Sequence, residues 1–474
     1  MKRIDALPDD VLLEIFYFYL IIHPSNYESK TAIEAWQSLV HVCRRWRSVV
    51  LGSPRGLNLQ LYCTAETPVK ETLDVWPALP LLVRGDVAQS SPENAIAALG
   101  QSNRVRLVNL HLERWQLEQV LAPMRVPFPE LTDLRLSTSV INFPNLEPIG
   151  IPDSFLGGSA TRLRNFSLHN IPFRGLPKLL SSCTHLVSLG LTNVPDSWCI
   201  SPEAMIDLLS VLSRLRTLCL KFRTPFWKSR SLPPPKHTIL PSLREFRFTG
   251  LTRYLEALVP NIDTPQLDEM HINFINSSNF ACLQLAQFIN RTPTLRSRDT
   301  AHFQFDNWTT GVALRARSST LEVETRCSLE TFIRGLCNFS LHPLSTVENL
   351  YIEHQHLVEV SPIQDTQWLG LLLPFTAVKN LSLSKKSAPG VAAALPVLGR
   401  GITEVLPRLK NVFVETPERS GPFRKDIRRF VTARKLSGHP VAISIRDKPV
   451  WNWAVEQEEE SALCIPMCLA WRQV

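Results

Sequence analysis

The chain has 474 residues, of which 44% are hydrophobic and 20% charged, so it can fold around a large buried core. Its net charge of +8 is modest for this length and does not by itself indicate nucleic-acid binding. No apolar run reaches the roughly 18 to 20 residues of a membrane span, and no cleavage site of a signal peptide follows a basic start. We therefore expect a cytoplasmic or nuclear protein without a membrane partner, whose 10 scattered cysteines are reduced.

The first predicted element is an amphipathic helix that begins at Pro8. Proline suits the first turn of a helix because its missing N–H would have no partner there. Asp9 and Asp10 place negative charge near the positive end of the helix dipole. The predicted apolar face repeats at helical spacing and consists of Val11, Leu12, Ile15, Phe16 and Tyr19.

A second predicted helix begins at the capping-box pattern Thr31–Glu34 and ends before Gly52 and Pro54. Its apolar stripe consists of Trp36, Leu39, Val42, Cys43, Trp46, Val49 and Val50. A module of about fifty residues buries little surface alone, so we expect it to complete its core on a partner. The alternative is an ordinary helical hairpin packed on the rest of its own domain.

Two motif halves in this segment carry a resemblance to a known family. Leu7-Pro8 with Leu12, Ile15 and Phe16, followed by Val42-Cys43-Arg44-x-Trp46-Arg47, resemble the F-box. The resemblance implies docking to a Skp-family adaptor and, through it, to the cullin scaffold of an SCF-type ubiquitin ligase. The residues it implies for adaptor binding are Leu7, Pro8, Leu12, Ile15, Phe16, Leu39, Val42, Cys43 and Trp46. One departure is the polar loop Ile21–Lys30, which is longer than expected between F-box helices.

The pattern L-x-x-L-x-L, with other apolar residues allowed, recurs along the chain. Its copies begin at Leu107, Leu131, Leu163, Leu186, Leu215, Leu243, Leu267, Val347, Val378 and Leu409, with weaker copies at Leu295 and Leu321. First positions lie 23 to 32 residues apart, counting the weaker copies. In five copies a proline stands two residues before the first apolar position, where we expect it to end a helix and start the next strand; these are Pro129, Pro241, Pro265, Pro293 and Pro407.

Strands alternating with helices at this period predict an α/β fold with parallel strands. The pattern resembles a leucine-rich-repeat horseshoe over roughly residues 75–420, and the alternative is a doubly wound α/β domain. We expect a helical module at 1–52, a linker and cap at 53–100, an irregular solenoid at 101–417 and a C-terminal cap and tail at 418–474. The family's Asn or Cys, eight residues after the first Leu, is replaced by Ser139, Ile171, Val194, Arg223, Leu251 and Ile275, so its side-chain ladder should be largely absent.

The strand face is the predicted target-binding surface. The third and fifth positions of each copy should point away from the core, because strand side chains alternate between faces. The residues proposed for target binding are Asp133, Arg135, Glu245, Arg247, Glu269, His271, Tyr351 and Phe413. Arg and Tyr are common anchors of protein interfaces.

A predicted amphipathic helix with a basic face follows the last repeat. Its basic residues are Arg424, Lys425, Arg428, Arg429, Arg434 and Lys435, and they surround Ile427, Phe430 and Val431. We interpret this helix as a cap that closes the open end of the array, followed by a last strand at Val441–Ile445. The alternative is contact with nucleic acid, but no aromatic residues interleave with the charges as a stacking platform requires.

No pattern in the sequence predicts catalysis, a cofactor or a metal. His354 and His356 lack further ligands at metal-binding spacing, and Cys464 and Cys468 are better explained by packing. The sequence therefore predicts a non-enzymatic substrate-recognition subunit whose target is unknown. The alternatives are an interaction scaffold without ubiquitin-ligase turnover and a nucleic-acid or chromatin binder that uses the basic C-terminal helix.

Overall fold

The structure is a computed structural model that describes most of the chain between Leu7 and Arg446. The described residues are 7–22, 35–64, 69–139, 150–194, 200–222, 237–275, 282–296, 298–305, 310–316, 319–325, 331–332, 342–354, 364–395, 403–415 and 422–446. The predicted capping box at Thr31–Glu34 and the C-terminal tail beyond Arg446 lie outside these ranges.

The chain divides into two compact units. Unit 1 comprises Met1–Arg247 with Asn261–Thr264, and unit 2 comprises Phe248–Pro260 with Pro265–Val474. Both units are mixed α/β with mostly parallel strands, in agreement with the prediction of an α/β protein. No helix in the described ranges is long and apolar enough to cross a membrane.

Unit 1 begins with three helices: α1 (Asp9–Ile22), α2 (Ala35–Val40) and α3 (Arg44–Gly52). The amphipathic first helix is confirmed. The prediction of a single second helix is wrong, because two helices, α2 and α3, occupy this segment. At the break Cys43 is extended (φ −157°, ψ 170°), and its Sγ accepts the N–H of Trp46 at 3.4 Å. Cys43 therefore caps α3 and separates it from α2.

Seven strands follow, and each pairs in parallel with the next one along the chain. They are β1 (Leu61–Cys63), β2 (Leu81–Asp86), β3 (Val105–Leu112), β4 (Asp133–Thr138), β5 (Asn165–His169), β6 (Ser188–Val194) and β7 (Thr217–Phe222). The helices between them are α4 (Val69–Val75), α5 (Glu93–Leu99), α6 (Arg114–Leu121), α7 (Leu176–Leu180) and α8 (Pro202–Leu209). A small parallel pair, β8 (Thr238–Ile239) with Ile262–Asp263, completes unit 1.

The apolar positions of the sequence repeat form the core of the sheet. Leu163, Phe166 and Leu168 are at most 1% exposed, and the other copies are buried in the same way, except the first. In the first copy the predicted register was wrong. Leu107 is half-buried, while Val105 is fully buried at the first core position. Valine is buried here in place of leucine, so a pattern based on leucine alone predicts the wrong register.

The prolines of the repeat precede strands as predicted, with one exception. Four strands begin four residues after their proline: Asp133 after Pro129, Glu245 after Pro241, Glu269 after Pro265 and Asn411 after Pro407. Pro293 instead opens a 3-10 helix that ends at Leu295. The next strand begins only at Thr300, so the register predicted for the weaker copy at Leu295 is wrong.

The remaining strands lie mostly in unit 2. The strand β9 (Glu245–Gly250) spans the division between the units, and Ile262–Asp263 is β10. The others are β11 (Glu269–Phe274), β12 (Thr300–Phe305), β13 (Thr310–Ala316), β14 (Ser319–Thr325), β15 (Asn349–His354), β16 (Asn380–Leu383), β17 (Asn411–Glu415) and β18 (Ala442–Arg446). Its helices are α9 (Thr252–Leu258), α10 (Leu283–Arg291), α11 (His342–Thr346), α12 (Asp365–Leu372), α13 (Ala388–Ala394) and α14 (Pro422–Leu436).

The middle of unit 2 departs from the predicted all-parallel order. Strands run in the spatial order β11-β14-β13-β12-β15-β16-β17-β18, so β12, β13 and β14 lie in reverse. β13 pairs antiparallel with both of its neighbours. Connections of four residues and of two leave no length for a helical crossover, which parallel pairing requires.

The C-terminal elements are confirmed as a helix and a strand. In α14, Ile427 and Phe430 are buried, and β18 pairs in parallel with β17. The predicted basic face of this helix is wrong at one residue, since Arg434 is fully buried. Its Nη2 donates to the carbonyls of Leu406 at 3.2 Å and Leu409 at 3.4 Å.

Candidate functional site

Helix α1 presents two apolar faces. Leu12 and Phe16 are fully buried and fill the core of the helical module. A different stripe faces solvent, where Val11 is 39%, Ile15 43% and Phe18 57% exposed. These three side chains lie on one side of the helix because residues three or four apart share a face. We call Val11, Ile15 and Phe18 the α1 stripe.

The second motif half lies beside this helix. Val42 is 59% exposed and Cys43 is also exposed, whereas Leu39 is buried. Trp46 contacts Phe16 with ring centroids 4.8 Å apart. Of the nine residues proposed for adaptor binding, Leu12, Phe16 and Leu39 thus hold the module together, while Leu7 and Trp46 are half-buried and Pro8, Ile15, Val42 and Cys43 are accessible. The sequence did not single out Val11 and Phe18 for this surface.

Two arginines fix the geometry of the helical module. Arg45 forms an ion pair with Asp9 at 2.6 Å, and its guanidinium also donates to the carbonyl of Leu7. Arg47 Nε donates to the carbonyl of Val40 at 3.1 Å. The first motif half is therefore tied to α3, and α3 is tied to the end of α2.

The module is attached to the rest of unit 1 by an aromatic contact. Trp36 on α2 donates from Nε1 to the carbonyl of Gln60 at 3.1 Å. Its ring meets that of Trp76 edge-on, with centroids 4.9 Å apart. The buried side of the module therefore has a partner within the chain, whereas the α1 stripe is exposed.

On the strand face of unit 1, the proposed target-binding residues are half-buried and ordered by neighbours. Asp133 accepts from Asn165 Nδ2 at 2.5 Å and from Thr132 Oγ1 at 2.7 Å. Arg247 is ion-paired with Glu245. Arg135 lies in register with Asn109 on one side and Ser167 on the other, so its guanidinium is flanked by shorter side chains.

A polar row that the sequence did not reveal runs across the carboxyl ends of the same strands. His111, Ser137, His169 and Thr192 occupy equivalent register positions on β3 to β6. His111 Nδ1 lies 3.0 Å from Ser137 Oγ, and His169 Nδ1 lies 2.7 Å from Thr192 Oγ1. The sequence pattern could have identified these residues, since each follows the last buried leucine of its copy by one position.

One turn carries a side-chain bond of the kind that the sequence predicts to be largely absent. Asn170 has a positive φ of 59°, a conformation that asparagine tolerates better than most residues. Its Nδ2 donates to the carbonyls of Thr138 at 3.3 Å and Ser139 at 3.0 Å. Asn170 stands one position before Ile171, which occupies the place of the Asn or Cys in the leucine-rich-repeat pattern.

On the strand face of unit 2, His271 joins two carboxylates. Its Nδ1 lies 2.7 Å from Glu322 and its Nε2 lies 3.9 Å from Glu269. His302 and Glu353 form a similar pair at 3.1 Å. The sequence predicted Glu269 and His271 but not Glu322, because β14 reaches β11 only through the reversed strand order.

An amide ladder accompanies the aromatic residues of unit 2. Tyr351 and Phe413 occupy the same register row on β15 and β17, with Ser382 between them. In the neighbouring row, Asn411 Nδ2 donates to Asn380 Oδ1 at 2.8 Å, and Asn380 Nδ2 donates to Asn349 Oδ1 at 2.7 Å. The two aromatic side chains thus stand beside a row of fixed amide groups.

Burial shifts the pKa of several titratable side chains in the described part of the chain. Burial raises the pKa of the Cys183 thiol to about 11 and also raises the pKa of Cys282, so neither is an activated nucleophile. Burial also raises the pKa of Glu256, although its carboxylate accepts the backbone N–H groups of Gln284 and Leu285. These bonds cap the start of α10, so Glu256 has a structural role. Among the described residues, no cluster of three or more His, Cys, Asp or Glu side chains suits a metal ion.

Neither the comparison with known protein families nor that with curated proteins found a match to this chain.

Proposed function

We propose that the chain is a non-enzymatic substrate receptor of an SCF-type ubiquitin ligase. In this proposal its N-terminal module is an F-box that binds a Skp-family adaptor and, through it, a cullin scaffold. The strand faces of a leucine-rich-repeat array hold a target protein, and other subunits transfer ubiquitin. The role of the chain is to raise the effective concentration of the target at the ligase.

The exposed α1 stripe is the observation that carries the proposal. Burying one large apolar side chain contributes about 1.5–3 kcal/mol, and this stripe offers three on the accessible side of one helix. The adjacent side of the same helix, with Leu12 and Phe16, already fills the module's own core, so the stripe is not needed for folding. Val42 adds a further exposed apolar residue from the second motif half.

The strand faces support the second part of the proposal. Half-buried polar and aromatic side chains that are held by neighbours lose little conformational freedom when a partner binds. Tyr351, Phe413 and Arg135 are of the residue types that anchor protein interfaces.

An adaptor pull-down with matched variants of α1 tests the proposal. Ile15→Asp places a charge in the middle of the α1 stripe, and we expect it to abolish binding of purified Skp-family adaptor to the full chain. Asp10→Asn is the control, because Asp10 is exposed on the same helix but lies outside the stripe, and its substitution also alters the charge of the helix by one unit. It should bind adaptor as the unaltered protein does. Equal binding by both variants, with unchanged circular dichroism, would contradict the docking assignment.

A further inference from the structure

Unit 1 carries a line of exposed arginines at the amino ends of its strands. Each arginine lies one residue before a member of a row of residues that pair across neighbouring strands. Those paired residues include Leu107, Asp133, Asn165, Ser188 and Thr217. We call this line the arginine row; it consists of Arg106, Arg164, Arg216 and Arg244.

Backbone hydrogen bonds fix the order of the row. The N–H of Arg164 donates to the carbonyl of Thr132 at 2.8 Å, and the N–H of Thr132 donates to the carbonyl of Arg106 at 2.9 Å. In the same way Val187 stands between Arg164 and Arg216, with bonds of 2.7 Å on both sides. Arg244 follows Arg216 directly through a bond of 2.9 Å.

The spacing of the row matches an extended peptide. Adjacent strands lie about 4.8 Å apart, so Arg106, Arg164 and Arg216 succeed one another at about 9.6 Å. Three residues of an extended chain cover about 10 Å. Side chains at positions i, i+3 and i+6 of such a peptide would each meet one arginine.

The row carries positive charge that the described part of the chain does not compensate. There, no ion pair or hydrogen bond engages the guanidinium groups of Arg164, Arg216 and Arg244, and Arg106 has only a 3.5 Å contact with Asn58. Two arginines that lie two residues before members of the row, Arg162 and Arg214, differ in this respect.

Those earlier arginines have partners: Arg162 pairs with Glu130 at 2.5 Å, and Arg214 lies 3.0 Å from His185. The carboxylates nearest to the row in sequence, Asp133 and Glu245, are also engaged by other side chains. The row thus differs from Arg162 and Arg214, whose guanidinium groups have side-chain partners.

We propose that the arginine row binds an extended acidic segment of the target protein, with carboxylates at about every third residue. The proposal rests on the target-binding role proposed above and names the chemistry of that target. A peptide suits the row better than a nucleic acid does. The positions between the arginines are held by Thr132 and Val187, and no aromatic residue stands in the row as a platform for bases.

Fluorescence anisotropy with a defined probe tests the proposal. The probe is a labelled peptide of about eight residues, long enough to span the row. It has glutamate at its first, fourth and seventh positions and serine elsewhere. We expect the full chain to bind it and the double variant Arg164→Glu with Arg216→Glu to bind at least about tenfold more weakly. A second peptide with the same composition and three consecutive glutamates should bind several-fold more weakly than the spaced one.

Controls separate local recognition from total charge. Lys70→Glu changes the charge of unit 1 at an exposed position at the start of α4, which follows the carboxyl end of β1 and not the amino ends where the row lies, and it should leave peptide binding unchanged. A milder pair, Arg164→Gln with Arg216→Gln, should also weaken binding if the reversed charges disturb folding. Circular dichroism establishes the fold of each variant.

Three results would overturn the proposal: no binding of the spaced peptide by the unaltered chain, equal binding by the double variant, or tighter binding of a single-stranded oligonucleotide than of the peptide. The adaptor pull-down with the same proteins keeps the two proposals apart. If peptide binding fails while adaptor binding persists, only the assignment of the arginine row fails. If adaptor binding fails while the peptide binds, the ligase role fails and the acidic-peptide site stands.

Discussion

Truncating the chain after Pro417 removes α14 and β18 and should make the protein insoluble or prone to bind hydrophobic dyes. In α14, Ile427 is 4% and Phe430 1% exposed, so both side chains cover the end of the unit 2 core. At about 1.5–3 kcal/mol for each large apolar side chain, their contacts contribute about 3–6 kcal/mol. That is a large fraction of the roughly 5–15 kcal/mol that stabilises a folded domain. The truncation also leaves the edge of β17 without its partner strand.

A point variant gives the same test without deleting a segment. Phe430→Ala should cost about 3–5 kcal/mol. For a unit of this size, the melting temperature should then fall by roughly 6 to 20 °C. Arg428→Ala on the exposed side of α14 is the matched control and should change the free energy of unfolding by less than about 0.5 kcal/mol.

Size-exclusion chromatography, dye binding and a thermal melt distinguish a cap from a dispensable tail. If the C-terminal helix served only to contact nucleic acid, the truncated protein would remain monomeric and melt at the same temperature. That result would refute the reasoning from burial. The fully buried Arg434, which donates to two carbonyls of the preceding segment, already favours a structural role.

Three further predictions concern single residues of unit 1. Asn170→Ala loses the side-chain bonds to the turn and places alanine at φ 59°, so it should lower the free energy of unfolding by about 1–3 kcal/mol in a denaturant titration. Cys183, buried and with a pKa raised to about 11, should resist a thiol reagent at about pH 8 until the protein unfolds, whereas the exposed Cys43 should react at once. Arg135→Glu should weaken target binding without moving the thermal melt by more than about 2 °C.

Each of these predictions has a contradicting outcome. An unchanged unfolding midpoint for the Asn170 variant would show that water replaces its bonds without cost. Rapid labelling of Cys183 in the native protein would mean that the core around α7 opens readily. Unfolding of the Arg135 variant would show that this side chain belongs to the core and not to the strand face.

The sequence predicted the fold class and most of the core because one physical rule governs both. Alternate apolar residues of a strand point to the same face, and the apolar residue just before the strand packs with them, so the repeat located Leu163, Phe166 and Leu168 correctly. The rule fails where another apolar residue replaces leucine in the core, as at Val105. It failed again between Thr300 and Thr325, where antiparallel strands alternate with the same period as parallel ones but need no helix between them.

The candidate sites were less predictable than the core, because side chains far apart in sequence create them. Glu322 meets His271 only because β14 lies next to β11. The α1 stripe required knowing which of two apolar faces is buried, and helical spacing alone allows either choice. The arginine row was visible as residues but became a feature only when backbone hydrogen bonds set its spacing.

The most direct test of the central claim is one affinity purification that measures both proposed functions of the full chain. Cullin and Skp-family adaptor are quantified with the unaltered protein, with Ile15→Asp, and with the double variant of Arg164 and Arg216, and each purified protein is then titrated with the spaced acidic peptide. We predict that Ile15→Asp loses adaptor and cullin but still binds the peptide, whereas the arginine variant keeps both subunits and loses the peptide. Recovery of adaptor and cullin by Ile15→Asp at the level of the unaltered protein would contradict the assignment of α1 as the docking element.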